Sequence, residues 1–138
     1  LDVNQLFNSF TELYRPYIKR IQPILDKYDL HTAQFLVLKD IYLHEQTTLV
    51  QISKRRSIEK PSARKLLKVL IEQELLIITQ GEDKREKLIS LSDKGFRVYQ
   101  EAMDDITAFQ ESVIDQAALN EKEINAAVQT FEKLKNIL

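Results

Sequence analysis

Two groups of side chains in this 138-residue chain have the types and spacing to do chemistry on a polyanion. The first lies in residues 53–68, where Lys54, Arg55, Arg56, Lys60, Arg64, Lys65 and Lys68 stand against the single acid Glu59. The second is Asp83-Lys84-Arg85. Cations placed beside phosphates release condensed counterions, and that release supplies most of the affinity for a nucleic-acid backbone. Sequence is read separately, by side chains that reach base edges in the major groove. In the first group Ser62, Arg64 and Lys65 are the expected base readers, since the guanidinium of Arg64 matches the two acceptors of guanine. Lys54, Lys60 and Lys68 are expected on phosphates. In the second, Arg85 suits a narrow minor groove, where negative potential is enhanced. Lys84 shares that tip. Asp83 would repel phosphate, so its expected work is to pair with Arg85 and hold the loop in shape. The plainer alternatives are a solvated helix face and a surface hairpin with scattered charges.

The elements that must carry these groups follow from local pattern. Pro61 falls in a first helical turn, where its missing N–H is no loss. From there Ala63, Leu66, Leu67, Leu70 and Ile71 form one apolar stripe, which turns Pro61, Lys65, Lys68 and Glu72 outward, toward DNA. A short helix over about 49–55 precedes it, with Thr48 as its cap. Leu75 to Gln80 and Lys87 to Leu91 read as two strands around a charged loop, Gly81 to Glu86. A helix–turn–helix followed by a hairpin is the outline of a winged helix.

The flanks are helical. Apolar residues from Val3 to Leu25 recur at i, i+3, i+4, i+7, which predicts a helix over 3–28. Pro16 removes a backbone donor there, so a kink or break is expected near residues 12–16, and Pro23 allows a second bend. The apolar face is broad enough either to be core or to cover a second subunit. A helix over about 33–44 follows, capped by Thr32 or His31, of which Thr offers the better acceptor oxygen to free N–H groups. Ser92 caps a long helix over about 93–117. Asn120 with Glu123 is close to a capping box for the last one, which aligns Ile124, Ala127, Val128, Phe131, Leu134 and Leu138.

Composition limits the rest. The net charge of −1 hides a basic middle and an acidic tail, because residues 100–138 carry eight acids against Lys122, Lys133 and Lys135. No cysteine is present, so disulfides, thiolate metal sites and thiol redox sensing are excluded. His31 and His44 lack zinc-site spacing, and surface or capping roles fit them better than metal binding. No phosphate-cradling glycine loop and no nucleophile with a recognisable base occurs, which gives catalysis no support. No apolar run is long enough to cross a bilayer, and no signal-peptide pattern opens the chain; a cytoplasmic protein without cofactor is the expectation. Phe10, Tyr14, Tyr17, Phe35 and Tyr42 have the character of a cavity lining for a small aromatic or lipophilic effector. An aromatic stripe at helical spacing is more often simply core.

Together these segments resemble the MarR-type transcriptional regulators over nearly the whole chain. Leu30-x-x-x-Gln34-Phe35-x-x-Leu38 resembles the opening of that family's second helix. Ile58-Glu59-Lys60-Pro61-Ser62-Ala63-x-x-Leu66 resembles the start of its recognition helix. Asp83-x-Arg85 followed by Leu91-Ser92-Asp93-Lys94-Gly95 matches its wing and the helix after it. Three positions depart from the pattern: Arg56 stands in place of an apolar residue, Ser57 in place of a frequent Gly, and His31 in place of a Thr or Ser cap. The resemblance implies a mainly α fold with a small β-wing. It implies a winged helix-turn-helix over 31–95, flanked by dimerisation helices at 1–30 and 96–138 of a single domain. It further implies a homodimer on a pseudo-palindromic operator in double-stranded DNA, often a repressor released by a small molecule. The rival is a dimeric winged-helix adaptor that binds protein and has no specific DNA readout.

Overall fold

A computed structural model of the chain describes residues 2–138. Its elements run α1 (Val3–Asp26), α2 (Thr32–Leu43), α3 (Leu49–Arg56), α4 (Lys60–Glu72), β1 (Leu76–Gln80), β2 (Lys87–Leu91), α5 (Asp93–Gln116) and α6 (Glu121–Ile137). They divide into two units, Leu1–Asp104 and Asp105–Leu138. The first unit takes in the first half of α5, where Tyr99 and Ala102 are buried.

Helix α1 opens on Asp2, whose carboxylate accepts from the Asn4 N–H at 3.0 Å. It stays helical through both Pro16 and Pro23, so the expected break is absent. The carbonyl left without a donor by Pro16 is that of Glu12. That stretch is exposed, so water can serve the carbonyl and the helix need not end. Only the C-terminal part of α1 is buried, through Ile21 and Leu25. Val3, Leu6, Phe7, Phe10, Leu13, Tyr14 and Tyr17 are exposed.

Helix α2 is the centre of the first unit. Phe35, Val37, Leu38 and Ile41 are buried on it. His31, not Thr32, takes the N-cap position, and its N–H donates to Gln34 Oε1 at 2.9 Å. Thr32 is the first helical residue. Its N–H and hydroxyl both donate to Gln22 Oε1, at 3.1 and 3.2 Å, which ties α1 to the start of α2.

Thr48 caps α3 as expected, accepting from the Gln51 N–H at 3.3 Å. The helix ends on Ser57 with φ 54° and ψ 45°, the left-handed region. This explains why glycine is favoured there. A Cβ in that conformation costs about 1–2 kcal/mol, offset in part by the extra freedom glycine has when unfolded. Ser57 is exposed, so little else is lost with its side chain. Ser57→Gly should therefore stabilise the chain by about 0.5–1 kcal/mol, read as a raised urea midpoint at unchanged slope.

Helix α4 buries Ala63, Leu67 and Leu70, with Leu66 half-buried. Ile71, expected on the same stripe, is 46% exposed, one residue round the helix from the fully buried Leu70 and so at the edge of the buried face. Strands β1 and β2 pair antiparallel from Leu76↔Leu91 to Gln80↔Lys87. The far edge of β2 is closed by Thr47, whose N–H donates to Ile89 O at 3.0 Å and whose carbonyl accepts from the Ile89 N–H at 2.7 Å. Thr47 lies in a stretch that reads as a polar linker, yet it is fully buried.

The Ser92 hydroxyl accepts from the Gly95 N–H at 3.0 Å and donates to Glu74 O at 2.7 Å. It thus caps α5 and pins it to the end of α4. In the second unit α6 opens on a full capping box: Asn120 accepts from the Glu123 N–H at 2.8 Å, and Glu123 accepts from the Asn120 N–H at 3.1 Å. No residue of α6 is buried, and Val128, Phe131 and Ile137 are exposed. Among the described residues no helix is long and apolar enough to cross a membrane.

Candidate nucleic-acid interface

The face of α4 opposite its buried stripe carries Lys60, Pro61, Ser62, Arg64, Lys65 and Lys68, all exposed. Burial of Ala63, Leu67 and Leu70 fixes the helix, so this orientation is imposed by the core and not by the charges themselves. Lys54, near the end of α3, is exposed as well. Among the described residues none of these cations is held in an ion pair, which leaves each free to meet a phosphate or a base.

Arg55 leaves the basic group. Its Nε and Nη2 reach Asp40 Oδ1 and Oδ2 at 3.0 and 2.8 Å, a two-pronged pair, and Nη2 also donates to Thr47 Oγ1 at 2.6 Å. Thr47 in turn donates to Gln51 Oε1 at 3.0 Å. Asp40 is buried, so this is an internal brace joining α2, α3 and the residue that closes β2. One signal for it existed, an aspartate inside the apolar run Val37-Leu38-Lys39-Asp40-Ile41, but nothing local named its partner.

The wing is Gly81 to Glu86. Asp83 Oδ1 accepts from the backbone N–H of Arg85 at 3.0 Å. The Asp83 carbonyl accepts from the Glu86 N–H at 2.9 Å, and the Gly81 N–H donates to Glu86 O at 2.8 Å. The Gln80 side-chain amide donates to the Lys84 carbonyl. Asp83 does hold the loop in shape, but by the main chain and not through the guanidinium of Arg85. A carboxylate two residues from a turn amide forms this bond at little entropic cost. Among the described residues the Arg85 guanidinium is in no ion pair, so its charge remains available.

The five aromatic residues expected around a cavity fall into different settings. Phe35 stacks on Tyr99 (5.8 Å, 15°), Tyr99 stacks on Tyr42 (4.2 Å, 25°), and Tyr42 meets the edge of Phe96 (5.9 Å, 78°). That cluster is core between α2 and α5. Burial, and then the neighbouring Tyr42, push the Tyr99 hydroxyl above the usual tyrosine range, which keeps it neutral. Phe10 and Tyr14 face each other at 6.5 Å on the exposed part of α1, where Tyr17 also lies. A groove of about 420 Å³ does exist, lined by Tyr14, Ile18, Gln22, His31, Leu36 and Arg56 among others. Of the five aromatics only Tyr14 borders it. Two of its other lining residues, His31 and Arg56, stand at positions that depart from the family pattern. His44 is elsewhere, its Nδ1 3.0 Å from the Asp40 carbonyl oxygen.

A family model described as a winged helix DNA-binding domain matches residues 30–95. An HTH-type transcriptional regulator of Staphylococcus aureus is 39% identical over 97% of this chain and 92% of its own length. The native MarR structure from the same organism superposes with a TM-score of 0.92 at 38% identity, covering 99% of this chain and 96% of that one. This chain belongs to the MarR-type winged helix-turn-helix transcriptional regulators. The S. aureus MarR has also been solved in complex with salicylate and kanamycin, with a TM-score of 0.89 over 97% of this chain and 90% of that one. A MepR–DNA complex from S. aureus, at 20% identity and a TM-score of 0.79 over 100% and 99% of the two chains, shares the fold. In this MarR-type chain α3 and α4 are the helix-turn-helix, and the loop between β1 and β2 is the wing.

Proposed function

We propose that this MarR-type regulator acts as a homodimeric repressor that holds a pseudo-palindromic operator and is released by a small aromatic or lipophilic effector. The observation that carries the reading is the exposed face of α4, a row of uncommitted cations on a helix whose opposite side is locked in core. Two copies of α4 would enter successive major grooves about 34–36 Å apart. The free guanidinium of Arg85 extends each half-site toward a minor groove. Dimerisation is supported by the runs of exposed large apolar residues on α1 (Val3 to Tyr17) and, separately, on α6 (Val128, Phe131 and Ile137), since apolar surface grouped in this way marks interaction sites more than singly scattered residues do. The family relationship supports a regulatory role over an enzymatic one, and a regulator of this kind works in the cytoplasm.

The groove beside Tyr14 supports an effector role. Its walls come from α1 and α2 and from Arg56, Ile58 and Leu66, which lead into and lie on the reading helix. An occupant that prefers one angle between α1 and α4 would shift the population of dimers able to span both grooves.

The test is affinity for a duplex selected from a random pool, measured at two salt concentrations. Binding should weaken steeply as salt rises. Arg64→Ala should cost about tenfold or more on the selected duplex and far less on random DNA, since a bidentate base contact is worth about 1–3 kcal/mol. Arg85→Ala should weaken binding on both, most where the flank is A·T-rich. If the double variant binds the selected duplex as tightly as the parent does, or if binding ignores salt, the reading fails in favour of a protein-binding adaptor.

A further inference from the structure

Glu59 is the one acid in the basic segment 53–68. It occupies the N-cap position of α4 with φ −71° and ψ 149°, yet its side chain makes no capping hydrogen bond. Short side chains suit that position because they fold back onto the free N–H groups of the first turn. The longer glutamate stays exposed instead, and among the described residues it is in no ion pair, despite Lys60 beside it. Its remaining tie to the fold is the favourable placement of a negative charge at a helix start.

On a surface that meets phosphates, a lone carboxylate lowers affinity for every duplex. It gains only where it meets a hydrogen-bond donor. Reading helices bring their N-terminal residues to the base edges. The donors in the major groove are the amino groups of cytosine and adenine. Adenine sets its amino group beside the N7 acceptor, which repels a carboxylate, whereas cytosine offers N4 without an acceptor of its own beside it.

We propose that Glu59 is a specificity-determining residue, accepting a hydrogen bond from cytosine N4 at one position of each half-site. This rests on the DNA-reading function proposed above. It assigns the carboxylate to discrimination, at the expense of general affinity.

The experiment uses the duplex the parent chain selects from a random pool, together with single-base replacements along each half-site. Affinities are measured for the parent, Glu59→Gln and Glu59→Ala. The parent should lose about tenfold when one cytosine per half-site is replaced. Glu59→Ala should be indifferent at that position. Glu59→Gln should move its preference to adenine, because an amide can pair with N6 and N7 together. Both variants should bind random duplex severalfold more tightly while melting only a few degrees below the parent, as the loss of a helix-start charge allows. If both keep every base preference and gain affinity equally on all duplexes, Glu59 is a repulsive charge only and the proposal is overturned. A parent that selects no sequence overturns the DNA-reading function itself, and this proposal with it.

Discussion

Gly95→Ala will destabilise the winged-helix unit by about 3 kcal/mol or more, beyond the usual range for one added methyl in a core. Ordinary helix logic predicts the reverse. Gly95 is the third residue of α5, and alanine in a helix is favoured over glycine by about 1 kcal/mol. The steric effect is larger. A Cβ at position 95 would lie 2.1 Å from the Leu75 carbonyl oxygen and 3.1 Å from its carbon. That carbonyl cannot move away freely. It accepts from the Ser92 N–H at 3.0 Å, and the Leu75 N–H donates to Leu70 O at 3.0 Å. Leu75 itself is fully buried. Backing α5 off would also break Ser92 from Glu74 and Lys94 Nζ from Gln73 O, which stand at 2.7 and 2.9 Å. The close approach of α5 to the end of α4 is thus possible only without a side chain. A melting temperature about 10 °C lower is expected. Gly81→Ala is the control. The nearest atom to its added Cβ is Glu86 O at 3.1 Å, in an exposed wing that can give way, so its melting temperature should move little. Equal melting temperatures for the Gly95 variant and the parent would show that the seam is softer than its geometry implies.

That seam was partly legible. Leu91-Ser92-Asp93-Lys94-Gly95 marks a strand end, a cap and a helix start from residue type alone. The caps at Thr48, Ser92 and Asn120, the extents of α4, β1 and β2, and the outward face of α4 all follow from spacing and short-range hydrogen bonding. Each of these depends on residues within one turn or one strand of each other. What could not be read depends on partners far along the chain or on the solvent. Apolar spacing finds the stripe of α1 but cannot say that its first part faces water while Ile21 and Leu25 do not. It cannot say that Ile71 falls at the edge of the buried face of α4 while Leu70 stays inside it. Pro16 signals a lost hydrogen bond, and only exposure decides whether that ends the helix. The aromatic residues were identified as a type, but Phe35 and Tyr42 lie in a stack with Tyr99 while Tyr14 borders the groove. Charge counting treats Arg55 like its neighbours, though its partner stands 15 residues away on another helix.

Arg55→Ala should therefore act on stability more than on phosphate contact, and by more than a surface charge change. Removing the guanidinium leaves the Asp40 carboxylate without its cation at 7% exposure, and leaves Thr47 Oγ1 short of a donor. Breaking a fully buried pair costs about 3–5 kcal/mol. The Arg55 side chain is 28% exposed, so water screens part of this interaction, and about 2–3 kcal/mol is the expected loss. Asp40→Ala should cost less, about 1–2 kcal/mol, because a freed Arg55 can turn its charge toward solvent through its exposed side. This asymmetry separates a brace around a buried carboxylate from an ordinary surface pair. Asp40→Leu with Arg55→Met should recover much of the loss, since apolar groups of similar volume need no partner. The brace also bears on function. Thr47 pairs with Ile89 in both directions, and Ile89 sits in the strand that leads out of the wing. With Arg55→Ala, amide exchange at Ile89 should accelerate before that of Leu38 or Ile41 in the centre of α2. The wing then loses its fixed position, and the contribution of Arg85 to DNA affinity should shrink with it. A loss of stability below about 1 kcal/mol, the range of exposed pairs, would show that Asp40 finds water when Arg55 is gone. The link from α2 to the wing would then be carried by the Thr47–Ile89 pairing alone.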